Sequence, residues 1–70
     1  MKGKKNYKLL NLLDERGSSQ RQLAPLLGCS YPCLQSKVAG RRDFLATDIA
    51  KIQELFQLTA EEVEEIFLKE

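Results

Sequence analysis

Apolar residues recur along the chain at spacings of three and four, the period of an α-helix, while alternation at period two is almost absent. Tyr7, Leu9, Leu10, Leu12 and Leu13 form the first group, and Gly17 follows it, which predicts a helix from about Asn6 to Arg16 with a glycine C-cap. Ser19 and Gln22 have the spacing of a capping box and open a second helix near Gln20. Its apolar face is Leu23, Ala24, Leu26 and Leu27, and Gly28 ends it where a left-handed residue is needed. Pro25 interrupts this pattern, because a mid-helix proline deletes one backbone hydrogen bond.

Ser30 is an N-cap for a third helix, with Tyr31 and Pro32 in the first turn, Leu34 and Val38 facing inward, and Gly40 as the stop. A basic loop, Arg41-Arg42-Asp43, leads to Phe44, assigned to the core. The fourth helix runs from about Ala46 to Phe56 and is expected to bury Ile49, Ile52, Leu55 and Phe56. Thr59 and Glu62 form a second capping box for a fifth helix reaching about Leu68, with Val63, Ile66 and Phe67 apolar. The prediction is an all-α fold of five short helices.

Length adds that residues 1–70 suffice for a single domain with one core, residues 1–5 being a frayed basic tail. Charge adds a polarity that the net value of +1 hides. Residues 1–45 carry nine basic and three acidic side chains, whereas residues 46–70 carry two basic and seven acidic. A basic part can face a polyanion while the acidic remainder points away, although clustering on solvated faces would give the same count. Glu61, Glu62, Glu64 and Glu65 read as such a solvated face, favourable near a helix N-terminus.

Other chemistry is scarce. No histidine is present, and Cys29 with Cys33 cannot supply four metal ligands, so neither a metal nor another cofactor is expected. Both cysteines are expected to remain thiols, Cys29 buried and Cys33 nearer the surface. Catalysis is not expected either, for want of a histidine, a paired-carboxylate cleft or a glycine-rich phosphate loop. No apolar run approaches the roughly 18 residues of a membrane span, and the opening MKGKKNYKLL lacks signal-peptide features, which makes the cytoplasm the expected location.

Two helices joined by a glycine turn, the second polar on one face, have the pattern of a helix-turn-helix. Ala24 is small where such helices cross closely. The stretch QRQLAPLLGCSYPCLQSKVA resembles the helix-turn-helix of the phage repressor and Cro-like (XRE, lambda-repressor-like) family, with Gln20 opening, Gly28 in the turn and Leu34 in the core of the third helix. The resemblance continues through VAGRRDFLATDIAKIQELFQLTAEEVEEIF and covers about residues 7 to 68. Pro25, Pro32 and Cys33 depart from the family pattern, and Ala39 replaces its common asparagine.

The resemblance implies a sequence-specific regulator of transcription, of phage or prophage type, that places its third helix in the major groove of a double-stranded DNA operator in the bacterial cytoplasm. It also implies a homodimer on paired half-sites, with helix five, around Phe67 and Leu68, as the expected contact. Tyr31, Gln35 and Ser36 are the candidate base readers, since glutamine can pair with adenine N6 and N7, serine with several bases, and tyrosine with a thymine methyl or, alternatively, a phosphate. Gln20, Arg21, Ser30, Lys37, Arg41 and Arg42 are the candidate phosphate contacts. No small-molecule ligand is implied. A protein-interaction module or antirepressor on the same fold is the alternative.

Overall fold

The computed structural model describes residues 4–68, and Lys2 of the expected tail lies outside that range. The described chain is all-α, with helices α1 (Tyr7–Glu15), α2 (Gln20–Leu27), α3 (Tyr31–Val38), α4 (Ala46–Phe56) and α5 (Ala60–Val63). The last of these runs on as a π-helix over Glu64–Leu68. Its radius of gyration of 11.0 Å matches the value of about 11 Å for a compact chain of this length.

Caps account for where the helices begin. Asn6 accepts from the Leu9 N–H at 3.0 Å, so the asparagine is the N-cap of α1 and not its first residue. The Ser19 hydroxyl accepts from the Gln22 N–H, but the Gln22 side chain meets that hydroxyl at 3.4 Å, so one half of the expected capping box is replaced by a side-chain contact. The second box is complete, with Thr59 Oγ1 accepting from the Glu62 N–H and Glu62 Oε1 accepting from the Thr59 N–H. Leu45 has no polar side chain to cap α4. Asp48 supplies that function instead, accepting from the Leu45 N–H at 2.9 Å.

Helix ends follow backbone conformation. Gly28 closes α2 at φ +74, and a Cβ there would meet nothing within 4 Å, so the left-handed φ alone calls for glycine. Gln57 adopts the same region at φ 53 after α4, a conformation that glycine would occupy with less strain. Pro25 lies exposed within α2, which remains helical around it.

The core gathers Leu9, Leu12 and Leu13 from α1, Leu23, Ala24 and Leu27 from α2, Leu34 and Val38 from α3, Ile52 from α4, and Leu58 from the turn that follows. Val63, Ile66 and Phe67 cover it from the α5 side, and the Phe67 ring meets Phe44 edge-on at 5.1 Å. Two residues expected inside, Leu26 and Leu55, are exposed, and so is Tyr7. Each lies off the centre of its helix's inward stripe, and the Tyr7 ring instead takes the Lys5 ammonium 5.6 Å from its centroid. Ile49, Phe56 and Phe44 are half-buried, as are both Cys29 and Cys33. Cys29 is therefore less enclosed than expected.

One polar residue joins three parts of this core's rim. The Asn6 N–H donates to the Val38 carbonyl at 2.7 Å, and its Nδ2 donates to the Ile66 carbonyl at 3.0 Å. The chain just before α1 is thus fixed to the last residue of α3 and to the end of α5, which brings Lys5 beside α3.

Candidate nucleic-acid interface

The third helix divides into sides of different chemistry. Leu34 and Val38 point into the core, α2 and α1 lie behind them, and Gln35 stands exposed. Gln35 shares a groove of about 190 Å³ with Lys5, Gln20, Val38, Ala39 and Arg41. Lys5 was assigned to a frayed tail by sequence reasoning, yet its place in this groove follows from the Asn6–Val38 bond beside it.

Gln20 also borders a second groove of about 370 Å³, which Asp14, Arg21 and Tyr31 line as well. The Arg21 guanidinium lies 4.3 Å from the centroid of the half-buried Tyr31 ring, a stacking distance that fixes both side chains. Gln20 is half-buried, and its Oε1 is shielded from solvent without a hydrogen bond to the protein. Gln20 lines both grooves, Arg21 and Tyr31 line one of them, and Lys5, Gln35 and Arg41 line the other.

The remaining candidates lie elsewhere. The Ser30 hydroxyl is occupied as the N-cap of α3, accepting from the Cys33 N–H at 3.2 Å. Ser36 is half-buried, and its carbonyl accepts from the Arg41 and Arg42 N–H groups at 2.9 and 3.3 Å, which curls the basic loop back onto α3. Arg42 is exposed but its Nη1 reaches Cys33 Sγ at 3.2 Å, on the opposite flank of α3 from Arg41. It borders a different groove, of about 370 Å³, whose other lining residues include Lys4, Lys37, Asp43, Phe44, Phe67 and Leu68.

Lys37 requires a correction. It is only 8% exposed, and its Nζ lies 2.5 Å from Asp48 Oδ2, itself on a residue 5% exposed. A lysine held in this way does not extend to a phosphate. The hydrogen bond to Asp48 raises its pKa above the ordinary lysine value despite its burial. Burial pushes Asp48 upward, but the bonds from Lys37 and from the Leu45 N–H outweigh it and leave the carboxyl below its ordinary value. Both groups stay charged at neutral pH. Asp48 was absent from the sequence-based candidates, although its place three residues after Leu45 is where a carboxylate can reach back to a helix's first N–H.

Burial, reinforced by the neighbouring Cys33, raises the pKa of the Cys29 thiol above its ordinary value. Among the described residues no three histidine, cysteine, aspartate or glutamate side chains gather as metal ligands, and no helix is long and apolar enough to cross a membrane. No protein-family model, no curated protein and no solved structure matches the chain.

Proposed function

We propose that the protein is a sequence-specific double-stranded DNA-binding regulator of transcription in which α2 and α3 act as a helix-turn-helix and α3 enters the major groove. The observation that supports this reading is a pair of neighbouring grooves with Gln20 in common, one lined by Arg21 and Tyr31 and the other by Lys5, Gln35 and Arg41, which brings amide, aromatic and cationic groups to the α2–α3 pair. Gln35 stands exposed on α3 and is the base reader in this reading. Arg41 and Lys5 flank it as phosphate contacts, and Gln20 holds the backbone beside the N-terminus of α2. Tyr31, stacked beneath Arg21, is a rigid surface for a thymine methyl or a sugar.

A second copy of the chain is the proposed partner on DNA, since one such domain reads few base pairs. Leu68, exposed at the end of α5 beside Phe67 and Ile49, is the proposed contact. Sedimentation with and without a duplex tests it, and a strictly monomeric complex overturns it.

Selection from a pool of random duplexes, followed by titration of the selected and scrambled sequences at several salt concentrations, tests the main reading. Each neutralised phosphate should contribute a slope of about −0.9 in log K against log salt. Gln35→Ala should cost ~1–3 kcal/mol and relax the preference at one base pair, whereas Arg41→Ala should weaken all sequences alike and flatten the salt slope by about one unit. A pool that emerges without enrichment rejects the proposal.

A further inference from the structure

We infer that the buried Lys37–Asp48 pair positions the DNA-facing side of α3, by fixing the loop that carries Arg41 and Arg42 at a set distance from Gln35. This rests on the DNA-binding reading above. The observation behind it is a single oxygen, Asp48 Oδ2, that accepts both from Lys37 Nζ at 2.5 Å and from the Leu45 N–H at 2.9 Å. One atom thereby joins the last turn of α3, the end of the loop and the first turn of α4.

Burying two charges carries a large desolvation cost, and an apolar pair of similar volume holds two helices together at least as well. What such a pair lacks is direction. Ion-pair and amide hydrogen bonds constrain angle as well as distance, so the Asp48 carboxylate specifies where the loop must return. The other end of the loop is fixed by the Ser36 carbonyl, which receives the Arg41 and Arg42 N–H groups. Gln35 immediately precedes that anchor. With both ends held, Arg41 keeps its place in the groove it shares with Gln35, Gln20 and Lys5.

Without the second anchor, the segment can pivot about Ser36, and Leu45 loses its only cap, having none of its own. Specific complexes should suffer most, because a phosphate contact fixes the register in which a base is read, whereas non-specific binding requires only charge. Lys37 and Asp48 are therefore positioning residues that touch no nucleotide.

The test compares the full chain with the double variant Lys37→Met/Asp48→Leu, and with the smaller Lys37→Met/Asp48→Ala, which strands no charge either, in case the first double variant does not fold. Cooperative thermal unfolding establishes that a variant is folded. In a folded variant, affinity for the duplex selected by the wild type should fall about tenfold or more while affinity for random duplex changes less than about twofold. Amide hydrogen exchange at Arg41, Arg42 and Leu45 should accelerate about tenfold or more. Unchanged exchange, or faster exchange with an unchanged ratio of selected to random affinity, overturns the inference. A wild type that enriches no sequence instead defeats the DNA-binding reading, and exchange at the same three amides then still decides whether the pair holds the loop.

Discussion

Lys37–Asp48 and Lys8–Glu65 are lysine–carboxylate pairs that connect distant parts of the described chain, and they differ chiefly in their surroundings. Lys37 and Asp48 join α3 to α4 at 2.5 Å with side chains 9% and 7% exposed, while Lys8 and Glu65 join α1 to the π-helical end of α5 at 2.7 Å with side chains 45% and 54% exposed. Coulomb's law treats them alike apart from the dielectric around them, and that difference governs everything else. At the surface, water solvates the charges nearly as well when the pair is broken. In the interior, removing Asp48 leaves the Lys37 ammonium buried without its carboxylate, while removing Lys37 leaves Asp48 with the Leu45 N–H bond.

The largest expected effect comes from breaking the buried pair on one side only. Asp48→Ala should destabilise the fold by ~3–5 kcal/mol, because it strands the Lys37 ammonium. Replacing both partners, as in Lys37→Met/Asp48→Leu, should leave stability within ~1–2 kcal/mol of the wild type or above it, since the desolvation cost disappears with the attraction. Urea denaturation of the two variants checks this. If the single and double variants lose stability equally, the burial argument is wrong, and the pair resembles the one at the surface.

A smaller effect should appear in the dependence of stability on pH. Asp48 titrates below its ordinary value in the folded state, so its contribution is complete above the unfolded value of about 3.9 and is lost as pH falls through the lower folded one. Lys37 titrates above its ordinary value, so its contribution is complete below about 10.4 and is lost as pH rises through the higher folded one. The wild type should therefore lose stability at both extremes more steeply than Lys37→Met/Asp48→Leu, with parallel profiles between about pH 5 and 9. Profiles that stay parallel down to about pH 2 would show that the pair is not coupled to folding.

The same contrast separates what could be read in the sequence from what could not. Helix α4 was placed from Ala46 to Phe56, and the stop at Gly28 with the starts at Ser19, Ser30 and Thr59 also agree with the structure, because caps and periodicity are local properties. For Lys37, residue type and position on the helix point in opposite directions. Counted from Leu34 it falls at i+3, on the same inward face as Val38, and periodicity alone would have turned it inside. Lysine is so rarely buried that its charge outweighed its position, and only the partner eleven residues away, Asp48, reverses that judgement. Leu26 and Leu55 show the opposite error, in which apolar type outweighs an off-centre place on the helix. Lys5 was unreadable for a third reason, since its place beside Gln35 depends on the contact between Asn6 and Val38, which no local pattern encodes.

The exposed pair offers the last and smallest test, and salt is the variable that distinguishes it. Lys8 donates to the Glu65 carboxylate and also to the Glu65 backbone carbonyl at 3.2 Å, so Glu65→Gln removes the charge attraction while the backbone contact can persist. The coupling from a double-mutant cycle of Lys8→Ala and Glu65→Gln should be ~0.2–1 kcal/mol at low ionic strength. At 1 M salt, where the Debye length shrinks to about 3 Å, the coupling should approach zero. The corresponding cycle at Lys37 and Asp48 should hold its value over the same range, because ions do not reach a pair enclosed by the protein. A surface coupling that survives 1 M salt would mean that the α1–α5 contact owes its strength to packing around Asn6 and Ile66, and the two pairs would then differ in kind as well as in degree.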